Sequence, residues 1–433
     1  MRAETPIKRA LSIEDIPNAF KATPLDDRDM AEFYEDTMEV RTRLSPIEDI
    51  YDNFHETKER NAYLLMGHRG CGKSTELNRL AKRLRDENYP VKTVYCNQEL
   101  DAANRDFSDV MILMADALLQ LADEMACTLN REDLRTIENF WKTATEEESV
   151  SDEVGVNLEA GVEAKLSLAG LLGLLGKLKT DMKYNVQRRT VYRRTMTNYF
   201  SQWLEAVNSI SGQIAEAAHK QPVLIFEDLD KGDSWSVFNE HGEQLTGVTF
   251  PVVYTFPIAF SYRPAFAELE AFFMVKRLPM IKTRNMDDSP NAEGIAVIRE
   301  IVERRAEATL FEAGVLDRMI EKTGGSLRDL FAAINTAATY SRRRRRERID
   351  AEAADVAFEE IKSNLSRRIE GTDYDFLMDV YREKRREIAD RETLLEMMQA
   401  GTVLEYNGVG WFNVHPLILD FLREIGRLPK ESA

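Results

Sequence analysis

The run GHRGCGKST (Gly67–Thr75) places Gly67, Gly72, Lys73 and Ser74 in the spacing G-x-x-x-x-G-K-[ST]. That spacing has a chemical reason. Glycines let successive backbone N–H groups turn inward around an anion, and a helix that starts at the lysine points its positive end at the same place. A lysine there reaches the β- and γ-phosphates of a nucleotide, and the hydroxyl after it helps to hold Mg²⁺. The nine residues expected around the phosphates are therefore Gly67, His68, Arg69, Gly70, Cys71, Gly72, Lys73, Ser74 and Thr75, with Cys71 contributing its backbone. Hydrolysis needs two further acids at a neighbouring strand end, one to orient the metal and one to polarise water. VLIFEDLDK (Val223–Lys231) supplies them: Glu227 for the metal shell with Ser74, and Asp228 for water and as a further metal ligand. Asp230 stands in reserve for either role.

The elements that must position these residues are legible on both sides. AYLLM (Ala62–Met66) is a short apolar run before the glycine loop, a helix is expected over Thr75–Asn88, and VKTVYC (Val91–Cys96) is a second strand. A strand, loop, helix and strand in this order imply a parallel sheet with a right-handed crossover. FPVVYTF (Phe250–Phe256) and MVKRLPMIK (Met274–Lys282) are further strands, and helices are expected at 107–127, 293–307, 311–322 and 326–346. Near the C-terminus, a helix at 391–400, TVLEY, Asn407-Gly408, GWFNV and a last helix after His415-Pro416 describe helices with a two-stranded wing. The fold class is α/β: a three-layer α/β/α core with a helical lid, a helical insertion and a C-terminal winged helix.

The expected division is an irregular N-terminal arm (1–45), a nucleotide-binding core (46–126 and 220–290), a helical insertion (127–219), a lid (291–370) and a winged helix (371–433). Within the insertion, ATEEESVSDE (144–153) reads as an acidic, solvated loop. From Val154 to Leu168 apolar and polar residues alternate, the period of a strand, and a β hairpin is expected there. That stretch and Ala169–Leu178 read as an insertion folded on its own domain or an oligomer contact, ahead of a membrane-inserting or target-binding element. Lys177–Lys220 holds no proline and keeps a helical spacing. A single helix of about 40 residues would reach ~60 Å, so a projecting arm is expected.

The residues of the loop and the acidic strand resemble the AAA+ ATPases, near the origin-recognition-type initiators and the related STAND and KAP signalling ATPases. GHRGCGKSTEL, VLIFEDLDK, VVYTFP and GGSLRDL carry the resemblance. Bacterial members of conflict systems, including phage defence, share a similar loop and acidic strand. The resemblance implies ATP and Mg²⁺ as cofactors and ATP hydrolysis as the activity. It implies that Thr255 reads the γ-phosphate as sensor 1 and that Arg328 does so from the lid as sensor 2. It also implies an arginine donated to a neighbouring subunit, for which Arg277 is preferred over Arg263. Glu227 departs from the aspartate usual in the family, which implies slow turnover.

Composition bounds the alternatives. The charge sum of −17 excludes a uniformly basic nucleic-acid coat but not a local patch. Arg342, Arg343, Arg344, Arg345 and Arg346 form one such patch, open to DNA or RNA or to solvent. Three cysteines and five histidines show no zinc-ligand spacing and fit a reducing cytoplasm. No stretch reaches the ~18 apolar residues of a membrane span, and the N-terminus shows no apolar signal core. Two readings follow: an ATP-driven oligomeric switch that controls an effector protein, as in phage defence, or a DNA-loaded ATPase of the initiator or transposition-helper kind. A nucleotide-binding scaffold without turnover is the third.

Overall fold

The computed structural model describes residues 6–42, 44–56, 61–151, 167–232, 234–384, 390–406 and 411–429. The elements in chain order are α1 (Asp27–Phe33), α2 (Pro46–Glu56), β1 (Ala62–Gly67), α3 (Lys73–Asp86), β2 (Val91–Tyr95), α4 (Phe107–Glu124), α5 (Arg131–Ser151), α6 (Leu168–Tyr184), α7 (Val186–Ala218) and β3 (Val223–Glu227). They continue with β4 (Val252–Pro257), β5 (Met274–Arg277), α8 (Ala292–Arg305), α9 (Val315–Lys322), α10 (Leu327–Arg343), α11 (Ala351–Ser366), α12 (Asp373–Glu383), α13 (Arg391–Ala400), β6 (Val403–Tyr406), β7 (Trp411–Val414) and α14 (Pro416–Glu424). Shorter helical turns join several of them.

Five strands form one parallel sheet in the order β2-β3-β4-β1-β5. All residues of β1, β3 and β4 are buried, as continuous apolar runs in a doubly covered parallel sheet require. In such sheets ligands bind beyond the carboxyl ends of the strands, where the order reverses. The glycine loop leaves β1 and the acidic residues leave β3 at that same edge, with β4 between them.

The insertion does not project. The expected single long helix is two, α6 and α7, because Asn185 adopts an extended conformation and its side chain caps the amide of Arg188. Asn is a strong N-cap, so it interrupts a spacing that reads as continuous. Both helices pack with α4 against one face of the sheet: Leu175, Leu178, Trp203, Val207 and Ile210 share a core with Leu64, Phe226 and Tyr254. Trp203 is fully buried and donates Nε1–H to the Met111 carbonyl at 3.1 Å. The acidic 144–153 stretch is also corrected, since α5 continues through it to Ser151. The alternating Val154–Leu168 run falls on residues 152–166, outside the described set, apart from its end, where Leu168 opens α6.

The N-terminal arm drapes over the core, but it is built of short helical segments rather than irregular chain. Ile7, Leu25, Met30 and Phe33 bury together. Two helices absent from the sequence reading, α11 and α12, follow the lid helix α10. The β6–β7 hairpin is antiparallel, with Val403 opposite Val414 and Tyr406 opposite Trp411, and the Asn407-Gly408 turn lies outside the described residues. Its Leu404, Tyr406 and Trp411 join the core on the second face of the sheet. No described helix is long and apolar enough to cross a membrane.

Trp203→Ala removes a buried indole and its hydrogen bond at the insertion–sheet contact. Urea unfolding should show a loss of about 3–5 kcal/mol in the transition that also melts the sheet. A projecting arm would instead leave that transition unmoved.

Candidate nucleotide site

The loop is built by conformation before it is built by side chains. Gly70 and Gly72 have φ of +85° and +98°, which favour glycine. At Gly70 a Cβ would also lie 2.8 Å from Ser326 Oγ and 2.9 Å from Arg328 Cβ, because the start of α10 rests on the loop. Leu327 N–H donates to the Gly70 carbonyl at 3.1 Å.

Lys73 is buried, and its charge must be answered locally. It pairs with Asp230 at 2.8 Å and donates to the carbonyls of Gly67 and His68 at 2.7 and 3.1 Å. Burial, the largest single influence, would lower the ammonium's pKa, but the Asp230 charge and hydrogen bond together with Cys71 and Glu227 raise it overall. Burial pushes Asp230 up, and Lys73 more than offsets this, holding its carboxyl below the usual range. Ser74 donates its hydroxyl to Glu227 Oε2 at 3.0 Å. Burial pushes the Glu227 carboxyl up to about 7, with the Asp230 charge as the next contribution. Glu227 Oε1 is buried without a hydrogen bond. A hydroxyl, a carboxylate and an orphaned oxygen beside a phosphate loop are hard-oxygen donors and fit Mg²⁺.

Asp228 sits at φ +69°, and its carboxylate pairs with Lys231. Arg105, which the sequence reading did not single out, fastens this turn by donating to the Asp228 carbonyl at 2.8 Å. Thr255 is fully buried: its hydroxyl accepts from Leu229 N–H at 3.0 Å and donates to the Phe226 carbonyl at 3.3 Å. It braces the acidic turn and does not line the cleft. Arg328 does line the cleft and is exposed, at the first turn of α10. Arg277 lies on the edge strand β5 beside Glu270, at 3.7 Å, and is not part of the cleft wall. Arg263 is held over the rings of Trp235 and Phe260 and lines a second cavity.

Two further loop residues act as braces. His68 is buried and accepts from Glu405 N–H of β6 at 2.8 Å through Nε2. Burial, with the Lys73 charge second, pushes its pKa down to about 3, so the ring stays a neutral acceptor. Cys71 is buried, and its carbonyl accepts from Arg41 at 2.7 Å. Arg41 also donates to the Pro279 carbonyl at 2.8 Å, and burial lowers its pKa. Arg41 Nε donates to Thr37 at 2.7 Å within its own turn, but the two carbonyls it holds are 30 and 238 residues away in the chain, so no local pattern marks that role.

The cleft around the loop measures about 1050 Å³. Phe33 and Tyr34 from the arm, Ile301 from α8 and Phe331 from α10 give it an apolar wall suited to a planar base. No protein-family model matches the chain, and no curated protein matches it significantly. Similar solved structures include Cdc6p from Pyrobaculum aerophilum, 12% identical with a TM-score of 0.42, covering 95% of this chain and 90% of that one. The Aeropyrum pernix ORC1 protein in complex with DNA is 11% identical with a TM-score of 0.39, covering 90% of this chain and 94% of that one. The Drosophila ORC bound to DNA is 13% identical with a TM-score of 0.40, covering 98% of this chain and 87% of that one. The residues of the site, not this likeness, carry the chemistry.

Glu227 gives a pH signature. Its folded pKa of about 7 lies above the ordinary 4.5, so its contribution to stability is full below pH 4.5 and is lost as pH rises through 7. Without Mg²⁺ and nucleotide, urea unfolding should show stability falling across that window by on the order of 3 kcal/mol from this group. Glu227→Gln should flatten the slope, and an unchanged slope would refute the assignment.

Proposed function

We propose that the chain binds ATP with Mg²⁺ in this cleft and hydrolyses it to ADP and phosphate. The observation that carries the reading is the buried Lys73, closed in a glycine loop whose next residue, Ser74, hydrogen-bonds the buried Glu227. Bound Mg²⁺ would supply Lewis-acid neutralisation of the phosphate oxygens. Lys73 exchanges Asp230 for the β- and γ-phosphates. Ser74 and Glu227 would hold the metal. Asp228 accepts the proton of the water that attacks the γ-phosphorus, and the bond to the bridging oxygen of ADP breaks.

The lid makes turnover a switch. Because α10 rests on Gly70 and carries Arg328, a γ-phosphate favours one lid position by contacts that ADP lacks. Assembly into oligomers and control of an effector, as in phage defence, are the output this reading assigns. Arg277, on the edge strand, remains the residue proposed to reach a neighbouring subunit. One observation favours the DNA-loaded alternative: Arg342, Arg343, Arg344 and Arg345 are all exposed, whereas Arg346 pairs with Asp350 and Glu352. DNA binding that steepens with falling salt and disappears when these arginines become alanines would decide for it.

Lys73→Ala should abolish both nucleotide uptake in calorimetry and phosphate release. Asp228→Asn should keep uptake and lower phosphate release by about 10²-fold or more. Turnover that survives Glu227→Gln intact would remove the metal assignment, and turnover that survives Lys73→Ala would remove the site.

A further inference from the structure

A second cavity, about 630 Å³, borders the glycine loop at Gly67, His68 and Arg69. It falls within the ~300–1,000 Å³ range of ligand pockets. Its walls come from the loop, the turn after β4, the start of α10, the end of α11 and the end of α13. Four guanidinium groups line it: Arg69, Arg263, Arg328 and Arg368. Arg69 and Arg328 also border the nucleotide cleft, whereas Arg263 and Arg368 belong to this cavity alone.

Two carboxylates face four guanidiniums within the cavity. The Arg69 charge acts on Asp230 and the Arg328 charge on Asp329, so Arg263 and Arg368 have no carboxylate of their own in the cavity. Its carboxylates are Asp230, already paired with Lys73 at 2.8 Å, and Asp329, which faces the His415 ring at 3.7 Å. A cation-rich hollow in a chain of net charge −17 is a local reversal of sign. Two of the guanidiniums are also held in place. Arg263 lies over Trp235 and Phe260 at 4.6 and 4.5 Å from their centroids, a stacking that leaves its N–H edges available. Arg368 is fixed by one bond to the Ala400 carbonyl at 2.7 Å and keeps further donors for a second partner. The first turn of α10 contributes Ser326, Arg328 and Asp329, so the amide end of a 17-residue helix adds its positive end to the same wall.

We infer that this cavity binds a second phosphate-bearing ligand, distinct from the nucleotide of the cleft, with Arg263 and Arg368 as its own recognition residues. Planar guanidiniums pair with phosphate oxygens two bonds at a time, and four of them suit more than one phosphate group. The backbone of a nucleic-acid strand and the tail of a free polyphosphate share this chemistry. Because Arg69 and Arg328 border both spaces, the two ligands would meet at the loop.

The test is calorimetry on the full chain saturated with Mg²⁺ and a non-hydrolysable ATP analogue. Inorganic tripolyphosphate is titrated in one arm and an eight-nucleotide oligothymidylate in the other. One further equivalent per chain is expected in at least one arm, and the arm that responds identifies the source. Arg263→Gln with Arg368→Gln should weaken that equivalent at least tenfold while the analogue still binds. The exposed Arg368→Gln alone serves if the double variant does not fold. Lys73→Ala, titrated without the analogue, should lose nucleotide and keep the second equivalent, so failure of the nucleotide site and of this one are separable. No further equivalent in either arm overturns the inference. So does an oligonucleotide signal that the double variant leaves unchanged, as binding at Arg342–Arg345 would.

Discussion

A buried ammonium group has to be neutralised within hydrogen-bond reach, and the arrangement around Lys73 follows from that requirement. The loop turns with positive φ at Gly70 and Gly72, Lys73 Nζ meets the Gly67 and His68 carbonyls, and Asp230 supplies the counter-charge. Asp230 is delivered by the turn after β3, two strands from β1 in the sheet, so the sheet order decides whether the ion pair can form. The turn in turn depends on Thr255, which holds Leu229 N–H, and on Arg105, which holds the Asp228 carbonyl. Three segments distant in sequence are thereby committed to one cation.

The two buried acids beside that cation divide unequally. Asp230 has the ammonium and is held ionised, while Glu227 has only a serine hydroxyl and the repulsion of its neighbour, and burial pushes it up to about 7. A buried carboxyl with a raised pKa and an unpartnered oxygen carries an uncompensated desolvation cost. A divalent cation beside Ser74 would relieve it. The same geometry that makes the site costly without ligand therefore gives the bound state its advantage, and the longer glutamate side chain reaches Ser74 without difficulty.

Local chemistry was readable from the sequence, and long-range packing was not. The glycine loop, its flanking strand and helix, and the acidic end of β3 are contiguous patterns whose meaning does not depend on distant residues. The break at Asn185 is not legible because a single good N-cap leaves the apolar spacing on either side intact. The acids of 144–153 suit a solvated loop by composition, but α5, anchored by Ile137 and Phe140, carries its backbone on to Ser151. A long helical pattern says nothing about which surface receives it, so the expected projecting arm and the packed α6 and α7 are not distinguished by spacing. Arg41 carries no pattern at all; only the folded chain brings it to the Cys71 carbonyl.

The loop is also where the C-terminal part of the chain is fastened. His68 accepts the Glu405 amide, Tyr406 donates to the Gly324 carbonyl at 2.8 Å, and Gly324 leads directly into the lid helix that rests on Gly70. Loop, hairpin and lid thus close a circuit of backbone contacts around one edge of the sheet. Lys73 donates to the Gly67 and His68 carbonyls, and His68 is the residue that holds the hairpin. A rearrangement of less than one residue's length at the loop has a direct route to β6, through a neutral imidazole whose acceptor nitrogen has one donor.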